Sequence, residues 1–329
     1  MKTENRKLGN SLMAGRNSVR DVLFLLAVLA TAVSVSAQDE KPVVIEVSSI
    51  VPTEPVWLDD GTLAYKVCWA IHMSPTEYVP GSISHSKYDL AGGKDVPAGE
   101  EEYGYLSHDK RFLLSTERYG SMVIGQGMRD VKSHIKLVDR TSKETKTDFS
   151  CQEEVQGASL SPDGQVIIFA KQGNLWRLGV GESSAQIVVE SKEKERFPQH
   201  SPDGKKIYFI RDMNDGTDFF AIDLASKAVV QVSRGLNPVS AFSFSPNGKY
   251  IAFASTNELK TQSEHGGNIW VLNVETGKAK RLTDGGTDQY PSFSPNGQRI
   301  VFQRQQGFYA NSSLKAFNIV VTQPDLSIK

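Results

Sequence analysis

The sequence predicts an all-β fold: a β-propeller of six blades with four antiparallel strands in each, and with seven blades as the alternative. The main observation is a motif that recurs four times: serine, proline, aspartate or asparagine, and glycine, followed by an aliphatic and an aromatic residue two positions apart. The copies occupy residues 161–169, 201–209, 245–253 and 294–302. Between them lie short alternating segments and no convincing helix. A unit of this kind, repeated about every 40–50 residues, is typical of a propeller blade.

Each copy of the motif has the chemistry of a hairpin turn that leads into a strand. Proline presets the first dihedral angle of the turn, Asp or Asn suits the next position, and glycine accepts the positive φ that closes it. The residues that follow alternate, as in KYIAF at 249–253, so one face of the strand is buried. The turn therefore explains the repeated Asp and Asn residues without a calcium loop.

Two weaker copies and the chain ends complete the count of blades. Residues 107–115 and 58–65 keep parts of the motif, which gives six anchors at the position of the Asp or Asn. The anchors are Asp60, Asp109, Asp163, Asp203, Asn247 and Asn296. After the last anchor there is room for a third strand at 317–323 but hardly for a fourth. We expect an orphan strand at 43–49 to supply the missing outer strand and close the ring, which leaves no long sheet edge exposed.

The segment KRLTDGGTDQYPSFSPNGQRIVF, residues 280–302, resembles the repeat of TolB-type bacterial periplasmic propellers, the PD40 or WD40-like family. The resemblance is strong from residue 155 onward and weak before it. It implies a propeller and an exported protein. It is poor evidence for a function, because the same repeat occurs in the propellers of prolyl-oligopeptidase-like enzymes. TolB proteins also carry a smaller α/β domain before the propeller, whereas this sequence enters the blades almost at once, so a Tol–Pal role cannot simply be carried over.

The first 37 residues have the three parts of a secretory signal peptide: a basic flank, an apolar core at 22–33 and a small-residue exit at Val35-Ser36-Ala37. The core is shorter than the roughly 20 apolar residues that a membrane-spanning helix needs. We expect cleavage near Gln38, a propeller over 38–329, a periplasmic or secreted location and no membrane span after cleavage. An uncleaved N-terminal anchor is the alternative.

Charge and composition argue against several classes of function. The 37 Lys and Arg residues nearly balance the 38 Asp and Glu residues, which gives no electrostatic footprint for nucleic acid or an anionic membrane. The six histidines are scattered, so no metal site and no cofactor are predicted. The G-x-S-x-G elbow of serine hydrolases is absent, since GASLS at 157–161 lacks the closing glycine. Cys68 and Cys151 are expected to be free thiols, although export leaves pairing open.

The innermost strand of each blade is expected to begin at one rim of the central channel. The residues four positions before the aromatic or equivalent residue of that strand are all polar, and we predict that they contact a partner. They are Thr53, Glu102, Gln156, Arg196, Ser240 and Gln289. Solvation alone also favours polar residues at a rim, and the register is least secure in the first two blades. Glu100–Glu102 and Glu153–Glu154 could form an acidic sector, which a solvated loop also explains.

Long connections are the other distinctive feature of the sequence. Those at 70–84, 119–133 and 306–316 are expected to crowd the same rim as loops, and long loops on one face are often the binding surface of a propeller. Their apolar side chains are the predicted partner-binding loop residues. These residues are Tyr78, Met122, Phe308 and Tyr309.

Together these features predict a non-catalytic, exported, monomeric propeller that binds an envelope protein or peptide through the channel mouth and the long loops of one face. The alternative is a propeller-based hydrolase or lyase that acts on a saccharide or a lactone at the channel mouth. Such an enzyme needs two or three carboxylates, or a bound cation, that converge on the axis. Only Glu102 and Glu101 are acidic at matched positions.

Overall fold

The computed structural model describes residues 42–47, 54–74, 77–99, 102–107, 109–123, 127–257, 266–308, 315–324, 326 and 328. These residues form six antiparallel sheets of four strands each and no helix. The predicted six-bladed propeller is therefore confirmed. In this described part of the chain, no helix is long and apolar enough to cross a membrane.

The strands follow one another blade by blade, except that the first strand, β1 (Val43–Val47), belongs to the last blade. Blade 1 contains β2 (Val56–Trp57), β3 (Thr62–Ser74), β4 (Glu77–Asp89) and β5 (Lys94–Ala98). Blade 2 contains β6 (Tyr105–Leu106), β7 (Phe112–Val123), β8 (Gly127–Asp139) and β9 (Thr145–Cys151). Blade 3 contains β10 (Val155–Leu160), β11 (Val166–Lys171), β12 (Asn174–Gly179) and β13 (Gln186–Val189).

The second half of the ring repeats this order. Blade 4 contains β14 (Lys194–His200), β15 (Lys206–Met213), β16 (Gly216–Asp223) and β17 (Val229–Gln231). Blade 5 contains β18 (Ser243–Phe244), β19 (Tyr250–Ser255), β20 (Asn268–Asn273) and β21 (Ala279–Arg281). Blade 6 contains β22 (Asp288–Phe293), β23 (Ile300–Phe308) and β24 (Lys315–Thr322), and β1 is its fourth strand.

The ring closes through the N-terminal strand, as predicted. β1 pairs antiparallel with β24, and the register runs from Val43 opposite Val321 to Val47 opposite Phe317. The order of strands in this sheet is β1-β24-β23-β22, so the first and last segments of the propeller share one blade. Because the two ends are hydrogen-bonded to each other, ring closure depends on strand pairing rather than on packing alone.

The Ser-Pro motif forms the turn between the first and second strands, as expected. In blade 4, Ser201 Oγ accepts the backbone N–H of Lys206 at 3.0 Å and donates to Asp203 Oδ1 at 2.6 Å. Asp203 in turn accepts the N–H of Lys205, and Gly204 has a φ of 69°. The corresponding serines in blades 3, 5 and 6 make the same bond to the Asp or Asn two residues later. They are Ser161, Ser245 and Ser294.

Blade 1 departs from the predicted anchor. Its turn is capped by Asp59, which accepts the backbone N–H groups of Gly61 and Thr62 at 2.8 and 2.7 Å. Asp60, the residue aligned as the anchor, instead accepts the N–H of Asn296 in blade 6 at 2.8 Å. Because the turn is one residue shorter, Asp59 caps it in place of Asp60. Asp60 is therefore available to link blade 1 to blade 6.

The cores lie between neighbouring blades. Phe293, Ile300 and Phe302 of blade 6 pack on Ile269 and Val271 of blade 5, in a cluster of fully or nearly fully buried side chains. Burying one such side chain contributes about 1.5–3 kcal/mol to stability. The motif aromatics in blades 4 to 6 are all buried. They are Phe209, Phe253 and Phe302. These residues hold blades together, and none of them is a functional residue by itself.

The predicted loops at 70–84 and 119–133 are strands for most of their length, which corrects the sequence analysis. β3 and β4 pair from Thr62 opposite Asp89 to Ser74 opposite Glu77. β7 and β8 pair from Phe112 opposite Asp139 to Val123 opposite Gly127. The third connection, at 306–316, is also partly strand, since β23 reaches Phe308 and β24 begins at Lys315. The first two hairpins are therefore long β-ribbons rather than loops, and the described part of the third is a shorter ribbon.

Candidate functional site

The six innermost strands all run in the same direction along the channel, so the channel has two different mouths. We call the mouth where these strands begin the entry mouth, and the mouth where they end in the Ser-Pro turns the turn mouth. Because neighbouring strands are antiparallel, each hairpin between the second and third strands opens on the side of the entry mouth. The predicted rim residues that the structure describes belong to the entry mouth.

At the entry mouth, Ser240 joins two neighbouring blades, and Gln289 contacts Gln303, which joins two others. Gln289 Oε1 accepts from Gln303 Nε2 at 3.1 Å, and Gln303 Oε1 accepts the backbone N–H of Glu54 in blade 1 at 3.3 Å. Ser240 is only 2% exposed, and its Oγ accepts the N–H of Tyr290 in blade 6 at 3.1 Å. Gln156 is partly buried in β10. Thr53, the member of the predicted set from blade 1, lies outside the described residues.

The two charged rim residues are both held in ion pairs. Arg196 donates from Nε and Nη2 to Asp212 Oδ1 at 2.9 and 2.6 Å. Glu102 accepts from Lys87 Nζ at 2.6 Å and from the N–H of Gly99 at 3.0 Å. The Lys87 ammonium group lowers the pKa of Glu102 below its usual value. Both charged rim residues are thus neutralised by a partner, whereas Glu100 and Glu101 lie outside the described residues.

Glu102 is also out of register with the other rim residues. Gln156, Arg196 and Gln289 each precede a residue with a positive φ, at Gly157, Phe197 and Tyr290 respectively. In blade 2 the positive φ occurs at Gly104, so the matching residue is Tyr103. Tyr103 is buried, stacks on His85 with ring centroids 4.6 Å apart, and donates its hydroxyl to Glu54 O at 3.0 Å.

An acid and a cation face each other at this end of four blades. In blades 4 and 6 the acids Glu195 and Asp288 are 0% exposed, and each is held by an arginine of the second strand. The four pairs are Lys66–Glu54, Lys171–Glu153, Arg211–Glu195 and Arg304–Asp288. Over the described residues, no group of three or more acidic, histidine or cysteine side chains could hold a metal ion. The carboxylates of these four pairs are therefore committed to structural contacts.

The predicted loop residues lie on the ribbons. Tyr78 is opposite His72 in blade 1, Met122 is opposite Met128 in blade 2, and Phe308 is opposite Lys315 in blade 6. Their side chains, and the whole of Tyr309, lie outside the described part of the structure. Blades 6, 1 and 2 are consecutive around the ring, so the three ribbons stand next to one another on the entry side.

A cavity at the turn mouth was not predicted from the sequence. It measures about 240 Å³ and is lined by residues from all six blades. Its lining includes a ring of six residues, one from each innermost strand, three positions before the anchors. This inner ring consists of Trp57, Leu106, Leu160, His200, Phe244 and Phe293. Alignment of the six copies at this position would have revealed one histidine among five apolar residues.

His200 is 8% exposed and is held by Ser159 of blade 3. Ser159 Oγ accepts the backbone N–H of His200 at 3.0 Å and lies 3.3 Å from its Nδ1. Burial lowers the pKa of His200 to about 4, against the opposing charge of Asp163. The same inter-blade bond recurs where Ser243 Oγ accepts the N–H of Phe293. Ser159 therefore joins two blades.

Cys151 is a free, buried thiol that donates to Glu153 O at 3.4 Å. The side chain of Cys68 lies outside the described part. The expectation of a free thiol is thus met at Cys151.

Comparison with known proteins places the repeat in one family. A family model described as the TolB beta propeller domain, PD40, matches residues 127–320. Dipeptidyl-peptidase 5 of Porphyromonas gingivalis is 26% identical over 169 residues, which cover 46% of this chain and 24% of that protein. The Tol-Pal system protein TolB of Wolinella succinogenes is 29% identical over 110 residues, 32% of this chain and 25% of that protein.

The chain thus spans about a quarter of the length of these two relatives. Among solved structures, TolB from Acinetobacter baumannii superposes with a TM-score of 0.54 at 18% identity, covering 80% of this chain and 64% of that one. That likeness concerns the fold alone. The family match covers more than half of the sequence and coincides with the blades described above. This chain belongs to the TolB beta propeller domain (PD40) family.

Proposed function

We propose that the protein is exported by cleavage after residue 37, and that the propeller over 38–329 acts in the cell envelope as a non-catalytic scaffold. It binds a protein or peptide partner on the entry side, through the rim residues and the three ribbons, and it does so as a monomer. The relatives named as Tol-Pal system proteins support an envelope location for this kind of propeller.

The observation that carries the proposal is the position of the three ribbons. In blade 1, β2 and β5 support the central hairpin only as far as the pairs formed by Ala64 and His85. Beyond Cys68 and Ile83 the hairpin is a two-stranded ribbon. A ribbon of this kind presents unpaired backbone N–H and C=O groups at its edges, which can take up an extended peptide. Three such ribbons on adjacent blades make a one-sided wall beside the channel mouth.

The ribbons also share a structural device. Each has a shift of register where it leaves its blade: between Cys68 and Ala70, between Tyr119 and Ser121, and between Gln305 and Gly307. β-bulges bend and twist a strand, and they are common where a strand is redirected near a functional site. Similar shifts at the same level of three neighbouring blades support a common role for the ribbons.

The charges at the entry mouth favour binding over the alternative of a hydrolase or lyase. Acid–base catalysis at the axis requires carboxylates that are free to exchange protons with a substrate. Here Glu195 and Asp288 are buried under arginine side chains, and Glu102 and Glu153 each contact a lysine. Charges paired in this way give a rim that discriminates between partners by complementarity.

Site-specific photo-crosslinking in cells tests the proposal. A photoreactive residue placed at position 78, 122 or 308 should give an adduct with the same envelope protein from at least two of the three positions. The matched controls are Lys205, Lys249 and Gln298, which are exposed in turns at the opposite mouth. Adducts of equal yield from the control positions, or none from the ribbons, would contradict a ribbon-centred partner site.

Two variants and one sequencing experiment refine the proposal. Arg196→Glu and Gln289→Ala should weaken capture of the crosslinked partner, because both change the rim without touching an apolar core.

Export predicts that the mature protein begins near Gln38, which N-terminal sequencing of the periplasmic or secreted fraction will check. A mature protein that retains residues 1–37 would refute the cleavage. Light scattering of the purified protein tests the monomer.

A further inference from the structure

The cavity at the turn mouth lies at the opposite end of the channel from the ribbons, and its lining is more apolar than polar. The inner ring supplies aromatic and aliphatic side chains, and four prolines of the Ser-Pro turns line the cavity outside it. These prolines are Pro162, Pro202, Pro246 and Pro295. Seven serines, Gln199 and Tyr105 also line the cavity, so apolar and polar groups occur side by side, as in most small-ligand sites.

His200 gives this apolar ring one polar group. The hydroxyl of Ser159 already accepts the backbone N–H of His200, and its own hydrogen is satisfied by donation to Nδ1 at 3.3 Å. In the tautomer in which Ser159 donates to Nδ1, the ring hydrogen is on Nε2, because a neutral imidazole carries one N–H. Burial keeps the imidazole neutral near pH 7, since it lowers the pKa to about 4. In that tautomer, His200 offers the cavity that it lines an N–H donor from Nε2.

The formal charge in the lining comes from a lysine, although the carboxylate of Asp163, outside the lining, acts on His200. Among the described residues that line the cavity, Lys110 is the only one with a formal charge, and none carries a carboxylate. Lys110 is about half exposed, and its Nζ lies 3.8 Å from Asp60 Oδ2 in a solvent-exposed ion pair, which contributes little energy in water. A ligand with an oxygen acceptor and a negative charge would complement both groups.

We propose that this cavity binds the C-terminal residue of a peptide: an apolar side chain against the inner ring, and the terminal carboxylate at the Nε2–H of His200 and in the field of Lys110. A volume of about 240 Å³ is below the usual range for drug-sized ligands, so it admits one or two residues of a chain end rather than a strand in passage. Carboxyl-terminal capture by backbone and side-chain donors is a known mode of peptide recognition.

Calorimetric titration of the full mature chain with a pair of peptides tests the proposal. The probes are acetyl-Ala-Ala-Phe as the free acid and the same peptide as its C-terminal amide. We expect the acid to bind at least about tenfold more tightly than the amide, because only the acid carries the charge that Lys110 attracts. Lys110→Gln should reduce that ratio toward one, whereas Lys205→Gln, a change in an exposed turn of blade 4, should leave it intact.

His200→Phe places in blade 4 the residue that blades 5 and 6 have at this position, and it should weaken binding of the acid by about tenfold through loss of one hydrogen bond. His200→Gln keeps an N–H donor and should retain more of the affinity than His200→Phe does. If His200→Phe fails to fold, the acid-to-amide ratio and its response to Lys110→Gln decide the matter. Equal binding of acid and amide, or no binding of either at millimolar concentration, would overturn the proposal. The crosslinking at the ribbons is independent of either result.

Discussion

Blades 1 and 2 and blades 3 and 4 follow one four-stranded plan but differ at one end. The two central strands of blades 1 and 2 are 12 or 13 residues long, whereas those of blade 3 have 6 residues and those of blade 4 have 8. In blades 3 and 4 the same hairpins close at once, at Gln172-Gly173 and Asn214-Asp215. The central strands of blades 1 and 2 are thus 4 to 7 residues longer, which at about 3.3 Å per residue amounts to about half to once the height of an ordinary blade.

The difference shows where the ring tolerates change. Toward the turn mouth, blades of both kinds keep the serine or aspartate cap and the buried apolar residues that contact the next blade. Toward the entry mouth, the ribbons add chain that neither the first nor the fourth strand supports. Binding surfaces of rigid scaffolds commonly vary in this way, because added length on one face does not disturb the core.

The largest expected difference between the two kinds of blade concerns their acid–cation pairs. Arg211→Met in blade 4 leaves the carboxylate of Glu195 without its cation. Glu195 is 0% exposed and otherwise accepts from Ser191 Oγ at 2.6 Å. Leaving a buried carboxylate unpaired should lower the free energy of unfolding by about 3–5 kcal/mol. Lys66→Met in blade 1 leaves the carboxylate of Glu54 without its cation. Glu54 is 20% exposed and keeps access to water, so the free energy of unfolding should fall by only about 1 kcal/mol.

Urea unfolding at pH 7 measures both changes on one scale. The proteins should have the same m-value, so that the midpoints report stability alone. Equal losses from Arg211→Met and Lys66→Met would mean that the pairs have equivalent surroundings in the two blades, against the difference in burial described above.

A second prediction uses the only histidine of the inner ring, within the described residues. The pKa of His200 is lowered to about 4 in the folded protein, compared with about 6.5 in an unfolded chain. Between these values the unfolded state binds more protons, so stability falls as the pH falls through this window and is fully present above about pH 6.5. The loss between pH 7.5 and pH 4.5 should be on the order of 2–3 kcal/mol.

His200→Leu, which copies Leu106 and Leu160 of blades 2 and 3, should remove this component of the pH dependence. Phe244→Leu alters the same ring without a titratable group and should leave it unchanged. The measurement is the difference in free energy of unfolding at the two pH values for each protein. A wild-type slope that survives in His200→Leu would show that other groups produce it.

The fold was predictable because its signal is local and repeated. Each Ser-Pro turn specifies its own hairpin, and the strand at 43–49 could be placed because the last blade was one strand short. The ribbons were missed because Gly120, Gly125, Gly127 and Pro80 are loop signals in a sequence. A hairpin that pairs only with itself also has no sheet to impose an apolar alternation on it.

The candidate site was harder to predict, for two physical reasons. The register of the rim depends on a positive φ whose position shifted by one residue in blade 2, and only the backbone reveals that shift. The cavity arises from six positions that are 40 or more residues apart in the chain, and ring closure alone brings them together. The sequence did contain one clue, His200 in an apolar column, but its meaning depends on Ser159 in the neighbouring blade.

A smaller effect is expected at the turn caps, where the two kinds of blade should behave alike. Ser201 caps the turn in blade 4, and Ser107 makes the same contacts in blade 2, accepting the N–H of Phe112 at 2.8 Å. Replacing either serine with alanine should cost about 1 kcal/mol, the usual net value of such a hydrogen bond. Thermal unfolding should show similar shifts for the two variants. A cost confined to blade 4 would mean that blade 2 is held by its ribbon rather than by its turn.

The smallest effect is expected from removal of a ribbon. Joining Cys68 to Ile83 by Asn-Gly, a favoured two-residue hairpin turn, deletes residues 69–82 beyond the level at which β2 and β5 pair with the blade. The free energy of unfolding should change by less than about 1 kcal/mol, since shortening an unsupported hairpin mainly alters loop-closure entropy.

The matched control joins Ile210 to Phe219 in blade 4, which removes Arg211 and Asp218 together with their buried hydrogen bonds. It should be severely destabilising. If the two deletions proved equally costly in urea unfolding, the ribbon of blade 1 would be part of the structural ring. If the deletion in blade 1 is tolerated, the ribbon is an addition to a complete ring, and selection for binding explains its length better than selection for stability.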